Sequence, residues 1–216
     1  MTIYIGVYGA SGFGKEVMPL VRQQYPTLLQ AQFVFIDDGQ AGTTLNGYPV
    51  LSYADFVAHS TEHKAVTIAI ANSRVREKLA IRLEQDGIQH LAVQAANTIV
   101  LDAVEIGEGS LLCPFSCLTS NIKIGKFFHA NIYSYVAHDC IIGDYVTFAP
   151  AVKCNGNIHI EDHAYIGAGA VIKQGTPDKP LVIGKGAIVG MGAVVTKSVP
   201  AGVTVVGNPA RILEKK

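Results

Sequence analysis

His138 and Asp139 are adjacent in the segment Tyr135-Val136-Ala137-His138-Asp139-Cys140. A neutral imidazole takes up a proton near neutral pH and a neighbouring carboxylate raises its basicity, so this pair has the chemistry of a general base. Cys140, two residues beyond His138, adds a thiol that could carry an acyl group. Near the N-terminus, Gly9-Ala10-Ser11-Gly12-Phe13-Gly14-Lys15 follows an apolar run and precedes a helical one. That order turns backbone N–H groups toward a phosphate at a helix N-terminus. The loop reads GxxGxG rather than GxGxxG, and Glu16 stands where a nucleotide-triphosphate loop needs Ser or Thr, which argues against an ordinary dinucleotide or NTPase site. Asp37 and Asp38 end a second strand over residues 32–36, and Asn72 to Arg76 follow a third over residues 65–71, opening a helix to about residue 86. In a parallel sheet these strand ends share one edge, where Asp and Asn suit ribose or base. A plainer alternative has Ser73 capping the helix and Arg76 as a solvated partner of Glu77 or Glu84.

The base must be positioned by a repeat. From Val100 to Ile172 every sixth residue is apolar: Val100, Ile106, Leu112, Leu118, Ile124, Ala130, Val136, Ile142, Phe148, Cys154, Ile160, Ile166, Ile172. With 49% of the chain hydrophobic, thirteen consecutive hits have a chance expectation of about one in ten thousand. The residue four places beyond each anchor is again small or apolar, as at Val104, Ser110, Ile122 and Ala164. A six-residue period fits neither a helix nor simple alternation. It fits a short strand plus a corner, with three hexads to a coil and the anchors lining the interior. Glycine follows the anchor at Gly107, Gly125, Gly143, Gly167, Gly184 and Gly190, where a corner needs positive φ or close backbone approach. The spacing lengthens to eleven residues between Ile172 and Ile183, so a loop containing Gly175, Pro177 and Pro180 leaves the coil there. A coil with exposed edges calls for capping or oligomerisation.

Composition changes near residue 95, dividing the chain into residues 1–95, with an α/β pattern, and the repeat of residues 96–216. Zero net charge with 16% charged residues argues against nucleic-acid and acidic-membrane partners. No eighteen-residue apolar run is present and Met1-Thr2-Ile3 lacks a basic start, so a cytoplasmic protein is expected. Cys113, Cys117, Cys140 and Cys154 read as free thiols, the last two facing inward. His129, His138, His159 and His163 include no pair separated by a multiple of eighteen residues, so no stacked metal site is expected.

The order of Tyr8 to Gly14, Phe35-Ile36-Asp37-Asp38, Ala69-Ile70-Ala71-Asn72 with Arg76, His138 to Asp144, and Lys153-Cys154-Asn155-Gly156-Asn157 resembles the PglD/NeuD group of bacterial sugar acetyltransferases. The ending Gly207-Asn208-Pro209-Ala210-Arg211 is similar to that of many hexapeptide-repeat acyltransferases. The resemblance implies a Rossmann-like N-terminal domain followed by a left-handed parallel β-helix, with acetyl-CoA as co-substrate and no metal. It implies His138 as general base and Asp139 as its support. Ser11, Gly12, Phe13, Asp37, Asp38 and Ala71 fall where the family holds the nucleotide of its sugar substrate, joined by Asn72 and Arg76 from the strand-end reading. Gly156, Ala168 and Met191 fall where backbone atoms meet acetyl-CoA. Homotrimers with each active site shared between the adjacent β-helices of two subunits are implied as well. Two departures bear on the acceptor: Thr147 replaces a second histidine that helps hold the donor, and Phe13 replaces a histidine of the nucleotide loop. The expected reaction is direct N-acetylation of the C4 amine of a UDP-, GDP- or dTDP-linked 4-amino-4,6-dideoxy sugar for surface glycans. The alternatives are transfer through Cys140, O-acetylation of a sialic acid, and a non-catalytic nucleotide-sugar-binding scaffold.

Overall fold

The computed structural model describes residues 3–214. The chain separates into two compact units, with the boundary between Val93 and Gln94.

In the first unit β1 (Ile3–Tyr8), β2 (Phe33–Ile36), β4 (Tyr48–Leu51), β5 (His63–Ile68) and β6 (Gln89–His90) are parallel, and β3 (Thr44–Leu45) pairs antiparallel with β4, giving the order β3-β4-β2-β1-β5-β6. Asn46 and Gly47, both at positive φ, form the two-residue turn between β3 and β4, the geometry that Asn-Gly favours in hairpins. The near-continuous apolar runs of β1 and β2 are buried, as expected of strands covered on both faces. Helix α1 (Gly12–Gln24) buries Gly14, Val17, Met18 and Val21, one face of a helix. Helices α2 (Tyr53–Ala58) and α3 (Ser73–Gln85) complete the unit. Strand β1 has β2 on one side and β5 on the other. The order therefore reverses beside β1, and residues 9–12 and 69–72 meet where open α/β sheets take ligands.

The second unit is a parallel coil of two- and three-residue strands stacked in three sheets. Registers such as Leu111↔His129, Cys117↔Tyr135 and Lys123↔Ile141 advance by eighteen residues. The anchors from Leu112 to Val195 are buried, as are most residues four places beyond them, including Phe128, Cys140, Val146 and Ala170. Ile106 and Ala201 are exposed, one in the first full coil and one where the coil ends. Inward serines stay satisfied, with Ser110 Oγ donating to Gly107 O at 2.8 Å and Ser134 Oγ to Ala149 O at 3.0 Å. The last parallel strand, Thr204–Val206, is covered by the antiparallel strand Arg211–Ile212, which occupies the open edge of that sheet.

The corner glycines serve close approach only. A Cβ on Gly107 would lie 2.5 Å from the Gly125 carbonyl, and one on Gly167 2.6 Å from Met191 N. Positive φ falls two places later, largely on other residues: Ala103, Asn121, Asp139 and Asn157 along one corner, Phe127, Tyr145 and His163 along another, and Phe115, Tyr133 and Ala151 along the third. The bond from each corner N–H to the coil below offsets the strain, as in Asp139 N to Ser120 O at 3.1 Å and Asn157 N to His138 O at 3.0 Å.

Candidate active site

The corner after the strand Tyr135–Val136 carries the base. His138 Nδ1 lies 2.7 Å from Asp139 Oδ2, and both side chains are 47% exposed. With Nδ1–H donating to the carboxylate, Nε2 keeps a lone pair for a substrate proton. Asp139 sits at φ 58°, and Asn121 Nδ2, one coil below, donates to its other oxygen at 3.2 Å. The hydrogen bond with His138, followed by that from Asn121, holds the Asp139 carboxyl below its ordinary value. Sequence reading missed Asn121, although its place eighteen residues before Asp139 is the signal that finds it.

One coil above, a Cβ on Gly156 would lie 2.5 Å from both Cε1 and Nε2 of His138. Glycine at 156 is therefore set by the imidazole lying over it. Asn155 braces the same corner, its Nδ2 donating to Ile172 O at 2.7 Å and its Oδ1 accepting from Tyr135 Oη at 2.8 Å.

The Cys140 thiol points inward. Its Sγ reaches Asn155 O at 3.2 Å, and the residue is 1% exposed. Cys154 is fully enclosed, and hydrogen bonding to Cys140 together with burial pushes its thiol well above the usual value. Neither sulfur is placed to attack a thioester outside the coil. Cys140→Ala is expected to keep kcat within about two-fold, as befits a packing residue, and intact mass spectrometry of the wild type should show no acetyl-cysteine. Among the described residues no group of three His, Cys, Asp or Glu side chains could hold a metal ion.

In the first unit the strand ends converge. A Cβ on Gly14 would lie 1.9 Å from Gly9 O, and Gly9 itself is at φ 108° and tight against Ala69 O. Gly12, by contrast, has nothing within 4 Å of its Cβ position, leaving room before the first turn of α1. Ser11 is the exposed N-cap of that helix and makes no side-chain cap bond, and half-buried Phe13 follows Gly12. This leaves the helix N-terminus open to an anion. Asp37 staples the edge, Oδ2 accepting from Ala10 N at 3.1 Å and Oδ1 from Gly39 N at 3.0 Å. Asp38 Oδ1 accepts from Tyr53 N at 2.7 Å.

Three expectations are corrected here. The cap of α3 is Asn72, not Ser73, with Oδ1 accepting from Arg74 N and Val75 N at 3.1 Å. Arg76 is fully buried rather than solvated or offered to a ligand. Its Nη1 donates to Ile70 O at 2.7 Å and Ala71 O at 3.2 Å, while exposed Arg74 makes the pair with Glu77 at 3.4 Å. β5 stops at Ile68 and not at residue 71, and the carbonyls of residues 70 and 71 beyond it turn to Arg76. Arg76 thus positions the exposed Ala71–Asn72 corner. Arg76→Met is expected to cost about 2 kcal/mol of stability in urea unfolding, because two part-buried carbonyls lose a charged donor.

Residues 4–83 match the PglD N-terminal domain model. A GDP-perosamine N-acetyltransferase of Escherichia coli O157:H7 is 50% identical over 217 residues, spanning 100% of this chain and 98% of the relative. The chain belongs to the PglD-like family of sugar acetyltransferases. WeeI from Acinetobacter baumannii AYE is similar in structure, with TM-score 0.98 and 84% identity over 98% of this chain and 100% of that one. The acetyltransferase domain of PglB from Neisseria gonorrhoeae FA1090, solved in complex with acetyl coenzyme A, has TM-score 0.84 and 27% identity over 98% and 99% of the two chains.

As a PglD-like protein the chain is an acetyl-CoA-dependent acetyltransferase, and its coil is the family's left-handed parallel β-helix behind a Rossmann-like unit. The non-catalytic scaffold reading falls with that membership. The four residues expected to hold the donor do not gather at one corner of the coil. Gly156 shares the corner of His138. Thr147 is buried on the sheet of Tyr165–Ile166, and Ala168 with 82%-exposed Met191 lies on the corner beyond that sheet.

Proposed function

We propose that this enzyme transfers an acetyl group from acetyl-CoA directly to the C4 amine of a nucleotide-linked 4-amino-4,6-dideoxy sugar. The observation that carries this reading is the His138–Asp139 pair at 2.7 Å on an exposed corner, with Gly156 clearing the space beside Nε2. The amine nitrogen attacks the thioester carbonyl and His138 Nε2 takes its proton. Collapse of the tetrahedral intermediate then expels the CoA thiolate. The Gly156 N–H, which donates to no protein acceptor among the described residues, is the donor assigned to the developing oxyanion.

The first unit holds the nucleotide. Its phosphates sit at the first turn of α1 by Ser11, Gly12 and Phe13, and Asp37, Asp38, Ala71 and Asn72 frame ribose and base. The acetyl donor named in the PglB complex supports acetyl-CoA here, and the E. coli relative's name places GDP-perosamine first among acceptors to test. Thr147, Ala168 and Met191 complete the donor site from a neighbouring copy in a homotrimer. Their separation from His138 within one protomer supports that assembly, and the product serves surface-glycan synthesis in the cytoplasm.

A thiol-release assay with acetyl-CoA and GDP-, UDP- and dTDP-linked 4-amino-4,6-dideoxy sugars tests the reading. One nucleotide series should give turnover and a product heavier by one acetyl group on nitrogen. Thiol release with sialic acid and with none of the amino sugars would overturn it.

A further inference from the structure

The coil that carries Gly156 departs from its ladder at one rung. In the column of residues that follow the anchors, each backbone N–H reaches the carbonyl of the next anchor: Leu101 N to Leu118 O at 3.0 Å, Thr119 N to Val136 O at 3.1 Å, and both Ala137 N to Cys154 O and Lys173 N to Val195 O at 2.8 Å. At Asn155 that backbone bond is missing among the described residues, and the side chain makes it instead, Nδ2 donating to Ile172 O at 2.7 Å. The other end of the same amide, Oδ1, accepts from Tyr135 Oη at 2.8 Å. One side chain therefore ties three successive coils: that of His138 through Tyr135, its own, and the one from which the loop after Ile172 departs beside a cavity of about 610 Å³. The column reads Leu101, Thr119, Ala137, Asn155, Lys173, and only the asparagine carries a donor and an acceptor on separate atoms of one short side chain.

What this clamp holds is a peptide unit. The Asn155 carbonyl points inward, 3.2 Å from the buried Cys140 Sγ, and the Asn155–Gly156 bond is trans. In a planar trans peptide the N–H points opposite to the C=O. The Gly156 N–H is thus turned away from the interior, toward the exposed corner of His138. A thiol is a weak donor, so Cys140 by itself sets that orientation only loosely. The two amide bonds, one to the coil above and one to the coil below, are the stronger restraint. On its other side the Gly156 carbonyl accepts from Gly175 N at 3.0 Å, so both peptide planes that flank Gly156 are anchored.

We propose that Asn155 is the positioning residue of the oxyanion donor, and that its bond from Tyr135 fixes the spacing between the Gly156 N–H and His138 Nε2. This rests on the acetyl-transfer reading above and deepens it. Tyr135 and His138 flank one anchor, Val136, in a single coil. A bond from Tyr135 to Asn155 therefore couples the coil of the base to the coil of the oxyanion donor, at the level where the tetrahedral intermediate meets both. The two side chains act through the backbone and not on the substrate. Such bracing matters because an oxyanion donor stabilises developing charge only when it is aimed beforehand.

The test combines steady-state rates with infrared difference spectra of acetyl-CoA, isotope-labelled at its acetyl carbonyl carbon and bound to wild type, His138→Ala, Asn155→Ala and Tyr135→Phe. The thioester C=O stretch should fall on binding to wild type, relative to free acetyl-CoA, and should fall equally in His138→Ala, where the oxyanion donor is intact. In Asn155→Ala most of that fall should be lost and kcat should drop about 20-fold, part of what loss of an oxyanion donor costs, with KM for acetyl-CoA within about two-fold of wild type. Tyr135→Phe keeps the ring and its packing. It should lower kcat about five-fold, the scale of one hydrogen bond, and add little when combined with Asn155→Ala. An Asn155→Ala enzyme that melts lower yet keeps its kcat and its carbonyl shift would reduce Asn155 to a structural brace and overturn the proposal. A raised KM for acetyl-CoA at unchanged kcat would overturn it as well, in favour of a direct donor contact. Those outcomes reject only the positioning role, whereas a wild type without the carbonyl shift, or without thiol release with any amino sugar, rejects the reading beneath it.

Discussion

His138→Ala is expected to lower kcat by about 10²–10⁴-fold, the range that a positioned general base contributes. The donor KM should stay near the wild-type value, since the imidazole acts on the proton of the attacking amine and not on the CoA arm. Stability should change little. The side chain is 47% exposed, and Asp139 keeps its bond from Asn121 at 3.2 Å. Mass by light scattering and the melting temperature should match wild type, so that lost turnover is not lost fold. Turnover within a few-fold of wild type would remove His138 from the mechanism. The carboxylate partner adds a pH expectation. Asp139 is held below its ordinary value, so its contribution to the corner is fully present above the usual carboxylate range, near 4. It is lost only as pH falls through the depressed value.

Gly156→Ala is expected to lower kcat by roughly 10²-fold without unfolding the coil. The backbone at 156 is not in the left-handed region, so alanine is tolerated conformationally and the conflict is with one group. The new methyl would lie 2.5 Å from Nε2 and Cε1 of His138, and the ring must move by about an ångström, a displacement that can cost a factor of this size. The alanine retains the 156 N–H, so the effect separates displacement of the base from loss of an oxyanion donor. In a His138→Ala background the same substitution should have little further effect. That non-additivity, measured as a double-mutant cycle on kcat, is the decisive readout. A full additional loss in the double variant would mean that Gly156 serves something other than the imidazole.

The coil was legible because its interior obeys one rule: an anchor every sixth residue, buried from Leu112 to Val195. The conformation of its corners was not. Glycine frequency points to the residue after the anchor, yet positive φ falls two places later on Phe115, Tyr133, Tyr145 and Asp139. There the inter-coil N–H bond outweighs the intrinsic preference, and no composition rule reports a bond to a residue nineteen positions earlier. In the first unit the strand–loop–helix order brought Gly9 to Gly14, Asp37 and the end of β5 to one sheet edge. Arg76 was misread because charge in a sequence reads as exposure, and only the fold shows two carbonyls curling back to enclose the guanidinium. Asn72 was hidden by a neighbouring serine of equal capping preference. His138 and Asp139 were visible as adjacent residues. Asn121, which bonds the carboxylate, and the place of Gly156 against the imidazole become visible only once the eighteen-residue register is applied.

The loop after Ile172 has a consequence for how this chain can change. Ile172 pairs with Val195, 23 residues on, whereas the coils below advance by eighteen, yet inside and outside stay in phase above the loop. The extra length is discharged at a corner, so insertions and deletions there act as silent edits to the frame. A single residue added within any hexad would instead turn every later anchor outward, as a shifted reading frame garbles all that follows. Variation in length is thereby channelled to the rim of one cavity, while the corner of His138 two coils below keeps its register.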